Sequence, residues 1–219
     1  MNLKPNMKPQ STSTQNRPQK FRGKYRVKSM RLQDYDYSSD GAYFITLCAK
    51  NREYFFGEIR DECKNQKILI PTKIGEIAEK FWREIEKLHD FAIVDEFVVM
   101  PNHIHGIIFI QNNYDMVETR HDMVETRQWR VSTNNNDKPN TIRKFQQLPK
   151  KSISSIINHF KGATKKWADK NDCEYFAWQK NFYDHIIRDK DELNRIRDYI
   201  FLNPQNWGND KNNSENLYI

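Results

Sequence analysis

Two β-rich runs, 91–100 and 103–111, follow each other with only Pro101-Asn102 between them. Proline's fixed φ and missing donor interrupt a hydrogen-bonded ladder, so the two runs read as neighbouring strands and commit the middle of the chain to a sheet. The second run opens His103-Ile104-His105-Gly106. Side chains alternate along a strand, which puts His103 and His105 on one face and Ile104 on the other. Two imidazoles on adjacent same-face positions can chelate one metal ion. Taken alone, such a pair has a plainer reading as two histidines on a half-exposed strand, and the rest of the chain must decide between the two.

The flanking segments supply the partners of that sheet. Aromatic and β-branched residues at 42–49 follow the turn signal Ser38-Ser39-Asp40-Gly41 and read as the first strand. Ile74, Ile77, Phe81, Ile85 and Leu88 recur at helical spacing, which predicts an amphipathic helix over 74–89. A second helix, 152–170, carries Ile153, Ile156, Ile157, Phe160, Ala163, Trp167 and Ala168 as its apolar positions, with Lys161, Lys165, Lys166 and Lys170 available for another face. A short strand is expected at 175–179. The last helix opens at Asp189 as N-cap, with Asp191 and Glu192 at the positive end of its dipole, and closes at Asn203-Pro204. Leu193, Ile196 and Ile200 form its buried stripe. The order predicts an α+β fold, a ferredoxin-like split β-α-β sheet with helices on one face and an appended C-terminal helix.

Charge is unevenly spread. Residues 1–31 hold nine of the 36 basic residues and no acid, leaving 27 basic against 29 acidic residues in the remainder. The segment 1–27 reads as a disordered basic tail, too polar to bury enough surface to offset chain entropy. A second basic concentration, 143–170, has eight Lys or Arg residues and a single acid, Asp169. Two basic regions favour nucleic acid as partner, with Lys161, Lys165 and Lys166, and Arg22, Lys24 and Arg26 of the tail, as candidate phosphate contacts. A solvated charged surface is the simpler account of either region alone. Between the regions, a polar insertion at about 111–149 contains Asp-Met-Val-Glu-Thr-Arg twice, at 115–120 and 122–127, which reads as a recent duplication in a tolerant loop. No apolar run approaches the roughly 18–20 residues that span a bilayer, and no secretory leader is evident. Cys48, Cys63 and Cys173 form no metal or disulfide pattern, so a reduced cytoplasm is expected. The domain plan is therefore a tail over 1–27, one domain over 28–207 and a C-terminal tail over 208–219.

Tyr199 and Asn203 lie four apart on the last helix, hence on one face a turn apart. A divalent ion held by two imidazoles and one oxygen ligand leaves positions open for a phosphate. Asn203 can offer that oxygen, and a phenol beside the ion can attack phosphorus once deprotonated. Half-buried packing is the alternative role for Tyr199, and a plain helix end for Asn203. Tyr183 competes as nucleophile, with His185 beside it as a base or extra ligand, although a strand-edge aromatic is the preferred role for Tyr183.

Four stretches, DYDYSSDGAYFITLCAKNREYFFGEI, VVMPNHIHGIIFI, FAWQKNFYDHIIRD and IRDYIFLNP, occur in the order and spacing of the REP-associated tyrosine transposases. Over about 28–110 and 145–207 the chain resembles that family, part of the single-tyrosine HUH endonuclease superfamily. The resemblance implies an HUH fold in which His103, His105 and Asn203 bind Mg²⁺ or Mn²⁺. It also implies that Tyr199 attacks single-stranded DNA beside a short palindromic hairpin and leaves a 5′-phosphotyrosine. The expected function is thus metal-dependent nicking and strand transfer related to DNA transposition, in a cytoplasmic, nucleoid-associated protein. The long insertion and the N-terminal position of the extra basic sequence depart from the family. Two other readings stay open: a silent DNA-hairpin-binding protein, and a metal-dependent nuclease that activates water.

Overall fold

In a computed structural model of the chain, the described residues are 35–62, 66–112 and 151–213, with the backbone of two short strands near the N-terminus. The chain divides into two units, Met1–Gln33 and Asp34–Ile219. In the first, β1 (Lys20–Phe21) pairs antiparallel with β2 (Lys24–Tyr25). The rest of the basic tail, Arg22 and Arg26 included, and nearly all of the insertion with its repeated hexapeptide lie outside the described residues.

The second unit is built on an antiparallel sheet of four strands, β3 (Gly41–Cys48), β6 (Ala92–Val99), β7 (His103–Ile110) and β8 (Tyr183–Ile187), in the spatial order β6-β7-β3-β8. Each neighbour is antiparallel, so a strand is threaded between the two strands of each β-α-β unit. This is the ferredoxin-like plan expected from the sequence. A hairpin that the periodicity did not signal, β4 (Gly57–Glu62) with β5 (Gln66–Pro71), forms a separate two-stranded sheet. The expected helix over 74–89 is two, α1 (Lys73–Arg83) and α2 (Ile85–Leu88), meeting at Glu84. Thr72 caps α1 through the Gly75 N–H. A Ser152/Ser155 capping box opens α3 (Ile153–Lys170), and Asp189 accepts from the Glu192 N–H at 2.8 Å to open α4 (Lys190–Leu202).

The strand expected at 175–179 is replaced by β8, a few residues later. The reason is competition for an edge. Tyr183–Ile187 occupies the free side of β3 from Thr46 to Ala42, leaving only Ala49 to bridge Trp178. The 175–179 segment instead puts Phe176 and Trp178 into an aromatic cluster with Phe55, Phe56 and Phe160.

The pleat sorts β3 and β7 into two faces. Tyr43, Ile45, Leu47, Ile104 and Ile108 meet α1 and α3 in the larger core. Ala42, Ile107, Phe109 and Ile187 lie under Leu193 and Ile200 of α4 on the opposite face. Full burial of each of these aliphatic side chains contributes about 1.5–3 kcal/mol. Every residue of β7 is buried, because both of its faces are covered. Gly106 serves the larger core, since a methyl group there would collide with the Trp82 indole. Because α4 covers one end of its face, the histidine end of that face receives a different cover, described next. Among the described residues, no helix is long and apolar enough to cross a membrane.

Candidate active site

His103 and His105 project from β7 on the α4 side of the sheet, as alternation requires, with ring centroids 4.4 Å apart. Their rings are oriented by neighbouring strands and loops. Asn102 Nδ2 donates to the carbonyls of Arg52 and Asn212 at 3.0 and 2.9 Å, so its Oδ1 faces the other way, 2.8 Å from His103 Nδ1. That oxygen can only accept, and Nδ1 therefore carries the proton. His103 Nε2 is left with a bare lone pair, buried and without a hydrogen-bond partner. Burial, with the Arg52 and Lys211 charges adding to it, pushes this imidazole down to about 3. His105 is held well below its usual value by burial and by His103. Both rings are neutral at ordinary pH, the form a metal needs.

A carboxylate completes the cluster. Asp210 is buried 3.9 Å from His103 Nε2, measured at Oδ2, and one ligand atom from each of His103, His105 and Asp210 lies within 4.8 Å of the others. It comes from the segment read from sequence as a C-terminal tail. A 3-10 turn, Trp207–Asn209, lays that segment across the histidines. Trp207 packs on His103 and Tyr54, with centroids 5.9 and 5.8 Å away, and the Tyr54 hydroxyl donates to Asn213 Oδ1 at 2.7 Å. Arg52 Nη1 donates to the Lys211 carbonyl at 2.6 Å. Asp210 Oδ1 accepts from the Asn212 N–H at 2.6 Å, which aims the other oxygen inward. Nothing in the local sequence pattern marks this acid, because the segment is neither periodic nor strand-like.

Tyr199 reaches the same place from α4. Its hydroxyl is 3.2 Å from His105 Nε2, and Thr46 Oγ1 is 2.9 Å from the other nitrogen of that ring. Burial pushes the phenol up to about 12, with the Asp210 charge adding to the rise and a hydrogen bond from the Asn203 side chain opposing it. Asn203 is the C-cap of α4, buried, and its Oδ1 has no hydrogen-bond partner. Two imidazoles, one carboxylate and an uncommitted amide oxygen form a donor set suited to a divalent ion that accepts mixed N and O ligands. The bare His103 Nε2 and Asn203 Oδ1 are the observations that make these residues fit one.

The other expected site residues sit further out. Tyr183 is on the same face, 41% exposed, edge-on to Phe44 at 6.5 Å, while Phe44 stacks on His105 at 5.2 Å. His185 Nε2 is engaged 2.8 Å from Glu192 Oε1. Lys161 Nζ donates to the Gln179 carbonyl at 2.6 Å, and Lys165 Nζ to Asp169 and to the Glu174 carbonyl at 2.5 and 2.9 Å. These lysines and the exposed Lys166 belong to α3, on the sheet face away from the histidines. Of Arg22, Lys24 and Arg26, the described residues include the backbone of Lys24 alone, in β2.

The chain belongs to the same family as a Haemophilus influenzae protein that carries the name "uncharacterized protein". The two are 35% identical over 193 residues, covering 86% of this chain and 94% of the relative. No protein-family profile matches the chain. Among solved structures, it is similar to a REP-associated tyrosine transposase bound to a REP hairpin, at 16% identity and a TM-score of 0.49 over 82% of this chain and 75% of the other. It is also similar to a candidate transposase of Deinococcus radiodurans, at 12% identity and a TM-score of 0.39 over 80% and 96%.

Proposed function

We propose that the protein is a metal-dependent, single-stranded DNA nicking and strand-transfer enzyme of the transposase kind that works through a 5′-phosphotyrosine link. The observation that carries this reading is the Tyr199 hydroxyl 3.2 Å from the imidazole of a buried His, His, Asp cluster. A phenol is a weak nucleophile at its free pKa of about 10 and weaker still where burial raises it, so an attacking tyrosine here would depend on a cation held by the cluster beside it. In the reaction the phenol oxygen forms a bond to phosphorus, the 3′-oxygen leaves and takes a proton, and the phenolic proton passes to a base.

His103 and His105, with Asp210 or Asn203 or both as oxygen donors, would hold Mg²⁺ or Mn²⁺. When bound, the ion supplies charge to polarise the scissile phosphate and to offset the Asp210 carboxylate that raises the phenol's pKa. Asn102 and Thr46 hold the two rings in place, and Asn203 donates to the phenol oxygen, favouring the phenolate. His105 Nε2 lies within reach of the phenolic proton in the ion-free protein. A short DNA hairpin with flanking unpaired bases is the substrate the sequence resemblance suggests.

The test is incubation of the full chain with labelled single-stranded hairpin DNA and Mn²⁺, followed by denaturing electrophoresis. A protein–DNA adduct from wild type that is absent from Tyr199→Phe supports the reading. Nicking retained by Tyr199→Phe would assign the chemistry to water, and metal-independent binding without cleavage of any palindrome would leave a DNA-binding protein.

A further inference from the structure

The helix that carries Tyr199 is tied to both edge strands of the sheet by polar pairs the chemistry above does not use. At the β6 edge, Arg197 Nε and Nη2 donate to Asp95 Oδ2 and Oδ1 at 2.8 and 3.0 Å, a two-point fork whose side chains are 23% and 17% exposed. At the β8 edge, Glu192 Oε1 lies 2.8 Å from His185 Nε2, and its Oε2 accepts from the Arg188 N–H at 2.8 Å. Against the upward push of burial, that N–H and His185 hold the Glu192 carboxyl below its usual range. Between the two edges lies the apolar stripe of Leu193, Ile196 and Ile200.

Asp95 is presented by an irregularity in β6. Val94 pairs with Ile108 and Phe97 with Gly106, so Asp95 and Glu96 together stand opposite Ile107 alone. This is a β-bulge, a feature that bends a strand and re-aims a side chain. It keeps Phe97 with Trp82 in the larger core and Val98 on the histidine side, while Asp95 meets α4. Apolar contacts are non-directional and by themselves leave a helix free to slide or roll a little on a sheet. A forked ion pair two residues before Tyr199 fixes both the height and the rotation of α4.

We propose that Asp95 and Arg197, with His185 and Glu192 at the opposite edge, are positioning residues that hold the Tyr199 hydroxyl against His105. The proposal rests on the reading of Tyr199 as the attacking group, and the experiment separates the two. Full-length Asp95→Asn, Arg197→Gln and the charge-swapped pair Asp95→Arg with Arg197→Asp are compared with wild type in three measurements. These are the single-turnover rate of adduct formation with hairpin DNA and Mn²⁺, the Kd for the same DNA, and the ¹⁹F resonance of 3-fluorotyrosine at position 199 without DNA.

Each single substitution is expected to slow adduct formation about 10–100-fold, the scale set by a misplacement of roughly 1 Å, while Kd stays within about twofold. The ¹⁹F resonance should move in both single variants and return towards wild type in the swap, which should also recover most of the lost rate. Asp95→Asn keeps the shape of the side chain and stands in should Arg197→Gln fail to fold. An unmoved resonance and unchanged rate in the single variants would overturn the proposal, as would a swap as slow as the two losses combined. If wild type forms no adduct, the role of Tyr199 as nucleophile falls, and the fluorine resonance alone decides whether the straps position its hydroxyl.

Discussion

Asn102 decides the chemistry of His103 without touching anything the protein would bind. Its amide is pinned by two carbonyls, which leaves an acceptor for Nδ1 and a bare Nε2 facing Asp210. Asn102→Ala should therefore weaken Mn²⁺ binding by about 10–100-fold, read by calorimetry, as loss of an orienting partner does at other metal sites. Asp210→Asn should weaken it at least as much, by about tenfold or more, because it removes the one anionic donor. Comparison with Asn203→Ala identifies the main oxygen ligand: a large loss there and none in Asp210→Asn would give the role to the amide. His103 also sets a pH limit. Its folded pKa of about 3 is depressed from an ordinary 6.5, so the unfolded chain binds the proton first on acidification. Its contribution to stability is complete above about 6.5 and is lost as pH falls from there towards 3. In metal-free protein, the melting temperature of His103→Gln should fall less than that of wild type over that window.

Legibility from sequence differed from element to element, for physical reasons. β7 and α4 announce themselves, one by the run Ile107-Ile108-Phe109-Ile110 behind His-x-His and the other by an N-cap acid and a 3–4 apolar stripe. The β4–β5 hairpin does not, because its residues are mostly exposed and its large aliphatics run together at Ile68-Leu69-Ile70 instead of alternating. The shift from 175–179 to Tyr183–Ile187 was hidden because both segments are aromatic and only edge occupancy in three dimensions chooses between them. Asp210 was hidden for a similar reason: its role depends on a turn that folds back over a sheet. Gly106 shows the same dependence on tertiary context, since its lack of a side chain makes sense only beside Trp82. Gly106→Ala should lower unfolding free energy by about 1–3 kcal/mol in urea titration, the range for overpacking a tight core. A change within about 0.5 kcal/mol, the scatter of ordinary surface substitutions, would mean that the indole yields.

At the scale of the whole molecule, the two sheet faces divide labour. One carries the larger core under α1 and α3, and the other holds α4 and the candidate site under the turn at Trp207–Asn209. An ion that binds this folded arrangement and not the open chain must stabilise it. Mn²⁺ at a hundred times its Kd should add about 2.7 kcal/mol, seen as a rise in melting temperature that EDTA reverses and Asp210→Asn greatly reduces. An equal rise in Asp210→Asn would place the ion elsewhere. The carboxylate that meets the histidines also has a consequence during synthesis. A ribosome delivers His103 and His105 to the growing chain long before it reaches Asp210, and a message cut short between Tyr199 and Asp210 yields a polypeptide with the imidazoles and the phenol but no acid beside them.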